Sequence, residues 1–141
     1  MLRQTRYRAA LRTTVALSAG PYGYTLTIWT SGAVLTHARG IPSTGPALLF
    51  LVGAVVAYAL VGKLAFGGLP EHFVPEPTRA YVWGGLHIFS VGLAIGAASL
   101  VAHFARSNAA WPLGGFLATA LYLLASASEL SVASATRRVR Q

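Results

Sequence analysis

Cysteine is absent from the 141-residue chain, and so is aspartate. Without cysteine there is no disulfide, no thiolate zinc site and no c-type haem attachment. The acidic residues are three glutamates, Glu71, Glu76 and Glu129. Only 10% of the chain is charged, against about 25% in soluble domains. With 55% hydrophobic residues, such a chain cannot clothe a water-facing surface and fits lipid as its solvent. Phosphate loops, dinucleotide fingerprints, HExxH, nucleophile elbows and paired carboxylates are also missing. No enzymatic activity is therefore expected, and no carboxylate-rich metal site within one chain.

What the chain does have is four long apolar stretches, residues 14–37, 46–67, 80–103 and 112–134. Each reaches the length of about 20 residues that carries a helix across a bilayer. The alternating pattern of a spanning barrel is missing. The expected fold is an all-α integral membrane protein with four transmembrane helices in an antiparallel up-down bundle. It forms a single domain with short basic tails, 1–13 and 135–141. The first stretch follows Arg3, Arg6, Arg8 and Arg12, as in a signal peptide. It is too long for one, and three more stretches follow, so it is read as a retained helix.

The net charge of +8 raises nucleic acid as a partner, but its distribution speaks for topology instead. Arg3, Arg6, Arg8, Arg12, Arg79, Arg137, Arg138 and Arg140 fall on one side of the expected bundle. Only Arg39 and Arg106 occupy the loops of the other side. Basic residues concentrate on the cytoplasmic side, which makes both termini and the Pro-rich loop Gly68–Arg79 cytoplasmic. The expected location is the cell membrane, multi-pass. The expected partners are the lipid bilayer and further copies of the chain or other membrane subunits, with no nucleic acid and no cofactor.

Displacing the sequence by 66 residues aligns several features. His37 falls on His103, Pro46 on Pro112, Phe50-Leu51 on Phe116-Leu117, and Lys63 on Glu129. The pattern predicts two repeated helical hairpins of parallel orientation.

Glu129 is the one acidic residue inside an apolar stretch, and ionisable groups in hydrocarbon are costly to keep. Lys63 and His87 fall at similar heights in their own stretches. The first stretch contributes Gly20, Pro21, Tyr22 and Tyr24 at that level, with Pro21 expected to kink its helix. Glu129, Lys63, His87, Tyr22 and Tyr24 are thus a candidate transport or intramembrane polar site. The blander account is a structural ion pair of Glu129 with Lys63, or Lys63 reaching back to the interface. Gly20, Tyr24, Thr27 and Ser31 form one small or polar stripe that lines either a pore or a close helix contact.

Gly92 and Gly96 form a GxxxG pair, and Ala127, Ser131 and Ala135 a small-residue series, both candidates for helix packing. His37 and His103 close two stretches at the other side. A matched pair of this kind can ligate a b-type haem, but interfacial polar caps account for them better. Two functions follow as expectations. One is a homo-oligomeric channel or transporter with a charged intramembrane site, its transported species unspecified. The other is a non-catalytic scaffold or accessory subunit of a larger membrane complex.

Overall fold

The computed structural model describes residues 2–66 and 88–138, with side chains described over residues 21–65 and 88–129. Four helices make up the described residues: α1 Leu2–Arg39, α2 Thr44–Phe66, α3 Ile88–Phe104 and α4 Ala110–Arg138. Three of them cover the expected apolar stretches, and α3 covers the part of its stretch that is described. The helix α1 also runs through the segment expected to be a tail, and it continues through Pro21. His87, Tyr81, Trp83 and the Pro-rich loop lie outside the described residues.

Local chemistry sets the helix ends. The α1 helix stops at Gly40, whose φ of 83° is the left-handed conformation that glycine adopts without a Cβ penalty. Its amide donates back to the Thr36 carbonyl at 2.8 Å. Pro46 and Pro112 are each the third residue of a helix, α2 and α4. First-turn amides have no intrahelical acceptor, so proline forfeits nothing there. Displaced by 66 residues, Thr44 falls on Ala110, and each is the first residue of its helix.

Among the described residues, two helices have segments long and apolar enough to cross a membrane, Thr44–Ala65 in α2 and Ala110–Glu129 in α4. The described part of α3 is apolar but shorter, 17 residues. The fold expectation is met at the level of an all-helical chain with four helices, two of them of membrane-spanning length and composition.

The packing is not a ring of sequential neighbours. Helix α4 is the hub, touching α1, α2 and α3. Helices α1 and α3 also pack on each other, whereas among the described residues α2 packs on α4 and scarcely touches α1 or α3. Burial follows this plan: 44% of the α4 spanning segment is buried inside the protein, against 17% of that in α2. Small residues make the close contacts possible. A Cβ at Gly53 would fall on the Pro112 carbonyl oxygen, and one at Gly115 on the Phe50 carbonyl oxygen. The α2 and α4 backbones therefore meet directly.

Two core clusters give the helix directions. Leu35 of α1, Val101 and Ala102 of α3, and Ala110 and Trp111 of α4 form one, with Phe50 of α2 against it. Ala94, Ala118 and Tyr122 form the other, with Tyr24 and Val91 packed on it. Thus α1 and α3 run side by side in one direction, and α4 in the opposite one.

Candidate functional site

Helix α4 carries Thr119, Tyr122, Ser126 and Glu129 at steps of three, four and three residues, which puts them on one helical face. Thr119 is fully buried and Tyr122 nearly so. The facing stripe of α1 is Tyr24, Thr27 and Ser31, again at helical spacing. Thr27 and Ser31 have no exposed surface, and Ser90 of α3 is buried equally deeply. A seam of hydroxyl groups therefore runs through the contact of α1, α3 and α4.

The seam is joined by specific contacts. The Tyr24 hydroxyl and the Thr119 Oγ1 lie 3.2 Å apart in a hydrogen bond. The Tyr24 and Tyr122 rings stack at a tilt with centroids 5.7 Å apart, a spacing typical of favourable aromatic pairs. Tyr122 shares a hydrogen bond with the Ser126 side chain, and the Glu129 carboxylate lies within electrostatic range of Tyr122. One Glu129 oxygen, Oε1, is buried. The Thr27 hydroxyl donates to the Gly23 carbonyl of its own helix at 2.9 Å. The Ser31 and Ser90 hydroxyl oxygens are buried with no hydrogen-bond partner among the described residues. An unmet buried hydroxyl costs about 1–3 kcal/mol, so two in one seam are a notable expense.

At the end away from Glu129 the seam is closed by apolar side chains. Leu35 is fully buried, and a Cβ at Gly114 would fall on its Cδ1. Val101 and Trp111 complete this plug. Beside it, the Arg39 guanidinium donates to the Ala102 carbonyl at 3.2 Å and ties α1 to α3.

The expected polar layer is only partly assembled. Tyr24, Thr27 and Ser31 face the seam, as the stripe on the first stretch implied, and Glu129 joins it at the other end. Tyr22 is 64% exposed and points outward. Lys63 is exposed on α2, and among the described residues no ion pair joins it to Glu129. The physical reason is the packing plan, because α2 meets α4 along the Gly53–Gly115 contact and leaves its other faces outside. His87 lies outside the described residues. The backbones of Gly20 and Ser131 belong to α1 and α4, but their surroundings are not described.

Gly92, Gly96 and Ala127 are exposed, and a Cβ at either glycine would meet open space. Within the chain the close approaches fall instead on Gly53, Gly114 and Gly115. The Gly114-Gly115 doublet, two residues after Pro112 in an apolar helix, was the available signal for that contact. Thr119, Tyr122 and Ser126 escaped the sequence reading, although their steps of three and four residues toward Glu129 were an available signal. His37 and His103 line one cleft between α1 and α3. No group of three or more His, Cys, Asp or Glu capable of holding a metal occurs among the described residues.

No protein family, no curated protein and no solved structure matches the chain.

Proposed function

We propose that the chain is a multi-pass membrane protein of four spans that moves protons or small cations along the hydroxyl seam, with Glu129 as the group that changes charge. The observation that carries this reading is the continuous α4 stripe Thr119, Tyr122, Ser126 and Glu129, set against Tyr24, Thr27 and Ser31 in an otherwise apolar interior. Hydroxyls can accept and donate a proton in turn, and a carboxylate at the end of such a row supplies a titrating terminus. The two partnerless hydroxyls, Ser31 and Ser90, are positions where a transient water completes the row. The Leu35, Val101 and Trp111 plug is then the closed gate of the pathway.

The membrane setting is supported by what α2 exposes. Leu48, Leu51, Val52, Val55 and Leu60 are all about half exposed or more, and an apolar surface of that extent is not stable in water. The bias of basic residues toward the chain ends and the loop around Arg79 supports a cytoplasmic side for them. A homo-oligomer fits the exposed Gly92 and Gly96, which leave a face of α3 smooth enough for a second helix.

The test is flux in proteoliposomes under an imposed pH gradient. Wild type conducts, and Glu129→Gln removes the flux while helicity and elution profile stay unchanged. Unaltered flux in Glu129→Gln, or none in wild type, overturns the reading.

A second reading is a scaffold or accessory subunit, and one observation favours it. Thr27, Thr25, Ser99 and Ser128 all bond back to carbonyls of their own helices, which is how hydroxyls serve packing rather than conduction. On that reading Glu129→Gln lowers detergent stability, leaves no flux to lose, and a defined membrane partner co-purifies.

A further inference from the structure

The two hairpins leave different amounts of space between their helices. In the second, α3 and α4 pack along the clusters around Ala94 and Val101. In the first, α1 and α2 scarcely touch among the described residues, and a cleft of about 590 Å³ opens between them. Ile28 and Gly32 of α1 form one wall, Ala47 and Phe50 of α2 the other, and Trp111 of α4 the floor. The lining is overwhelmingly apolar, with His37 among its few polar groups.

Water is a poor occupant, because it needs two to four polar partners to be held. A single hydrocarbon chain suits both the volume and the apolar lining. At about 30 Å³ for each water-sized group, the cleft holds roughly 20 such groups. The cleft is also continuous with the exposed apolar surface, since Trp29 lines it while 76% exposed.

We propose that the cleft between α1 and α2 binds one hydrocarbon chain of a membrane lipid, which takes the place of direct contact in the first hairpin. The proposal rests on the membrane reading but not on transport. Gly32 offers a clean way to fill the site, because a Cβ there meets nothing within 4 Å. Ala47→Leu closes the same space from α2.

The experiment uses the full chain reconstituted in phosphatidylcholine vesicles whose acyl chains carry bromine, a contact quencher of indole fluorescence. Trp111 is the reporter, because it is only 7% exposed yet forms the cleft floor. A variant with Trp29→Phe and Trp83→Phe isolates it. Its emission is expected to fall at least twofold relative to unbrominated vesicles. Gly32→Phe or Ala47→Leu in the same background should restore most of that loss. A second variant, retaining Trp29 and carrying Trp83→Phe and Trp111→Phe, should be quenched whatever occupies the cleft.

Quenching of Trp29 without quenching of Trp111 overturns the lipid site alone. Equal quenching of Trp111 in both filling variants does the same. A shift from oligomer to monomer in Gly32→Phe assigns the cleft to a second copy and also overturns it. Absence of quenching at both indoles overturns the membrane reading itself.

Discussion

The first and second hairpins share a sequence frame but not a packing mode. The matched helices are α2 and α4, which begin at positions 66 residues apart, each with proline third. Yet α4 touches every other helix and α2 only α4 to any extent. Side-chain size at matched positions explains the difference. Gly114, Gly115 and Ala118 of α4 correspond to Leu48, Leu49 and Val52 of α2. Small residues let three helices approach α4, while the bulky set on α2 stays exposed. Helix α4 has become the core, and α2 carries a large share of the apolar exterior.

The largest way to break this comparison is to remove the side chain that docks α1 on α4. Leu35 is fully buried against Gly114. Leu35→Ala should cost about 2–5 kcal/mol, the range for a buried leucine that leaves a cavity. Reversible unfolding in mixed detergent reads that loss. On the transport reading, proteoliposomes should also leak faster, because the plug has been hollowed. A loss below 1 kcal/mol would show that α1 is not anchored there.

Exchanging residues between the matched helices sharpens the contrast. Ala118→Leu overfills the contact with Ala94 and should cost about 1–3 kcal/mol. Val52→Leu changes its counterpart, which is 54% exposed, and should stay within about 0.5 kcal/mol of wild type. Equal effects in the two helices would mean that α2 is as enclosed as α4.

A smaller effect is expected at the bridge across the seam. Tyr24→Phe and Thr119→Val, singly and together, form a double-mutant cycle around the 3.2 Å hydrogen bond. Its coupling should be about 0.6 kcal/mol, the average for hydrogen bonds between membrane helices. Zero coupling would remove the bridge from the seam. The smallest effect belongs to Gly92→Ala, where open space receives the methyl group. Monomer stability should hold or rise by up to about 1 kcal/mol through helix propensity. Weaker self-association in that variant, followed by crosslinking in membranes, would identify the Gly92–Gly96 face as the contact between copies.

Much of this architecture was legible before the structure. The apolar stretches marked the helices because a run of nonpolar residues without breakers has few other ways to satisfy its backbone. The stripe Tyr24, Thr27, Ser31 announced an inward face through helical spacing alone. Glu129 stood out because one carboxylate in an apolar helix is chemically conspicuous. Its surroundings were not legible. Lys63 matched Glu129 in register and height, but height does not fix rotation about the helix axis, and α2 turns Lys63 outward. Thr119, Tyr122 and Ser126, on the same helix as Glu129, proved to be its neighbours along the seam.

Glycine shows the same division. A GxxxG spacing states that two helices can approach closely, not that they do. Gly92 and Gly96 have that spacing and face open space, while Gly53 and Gly115 take the backbone contact. Sequence by itself determined the helical class, the helix starts near the two prolines, and which face of α1 is polar, because each follows from bonds and spacings within about one helical turn. Only the tertiary structure decided that α4 is the hub, that Lys63 stays outside and that a cleft separates α1 from α2. Those outcomes depend on the rotation and fit of whole helices, which side-chain volumes at distant positions settle together.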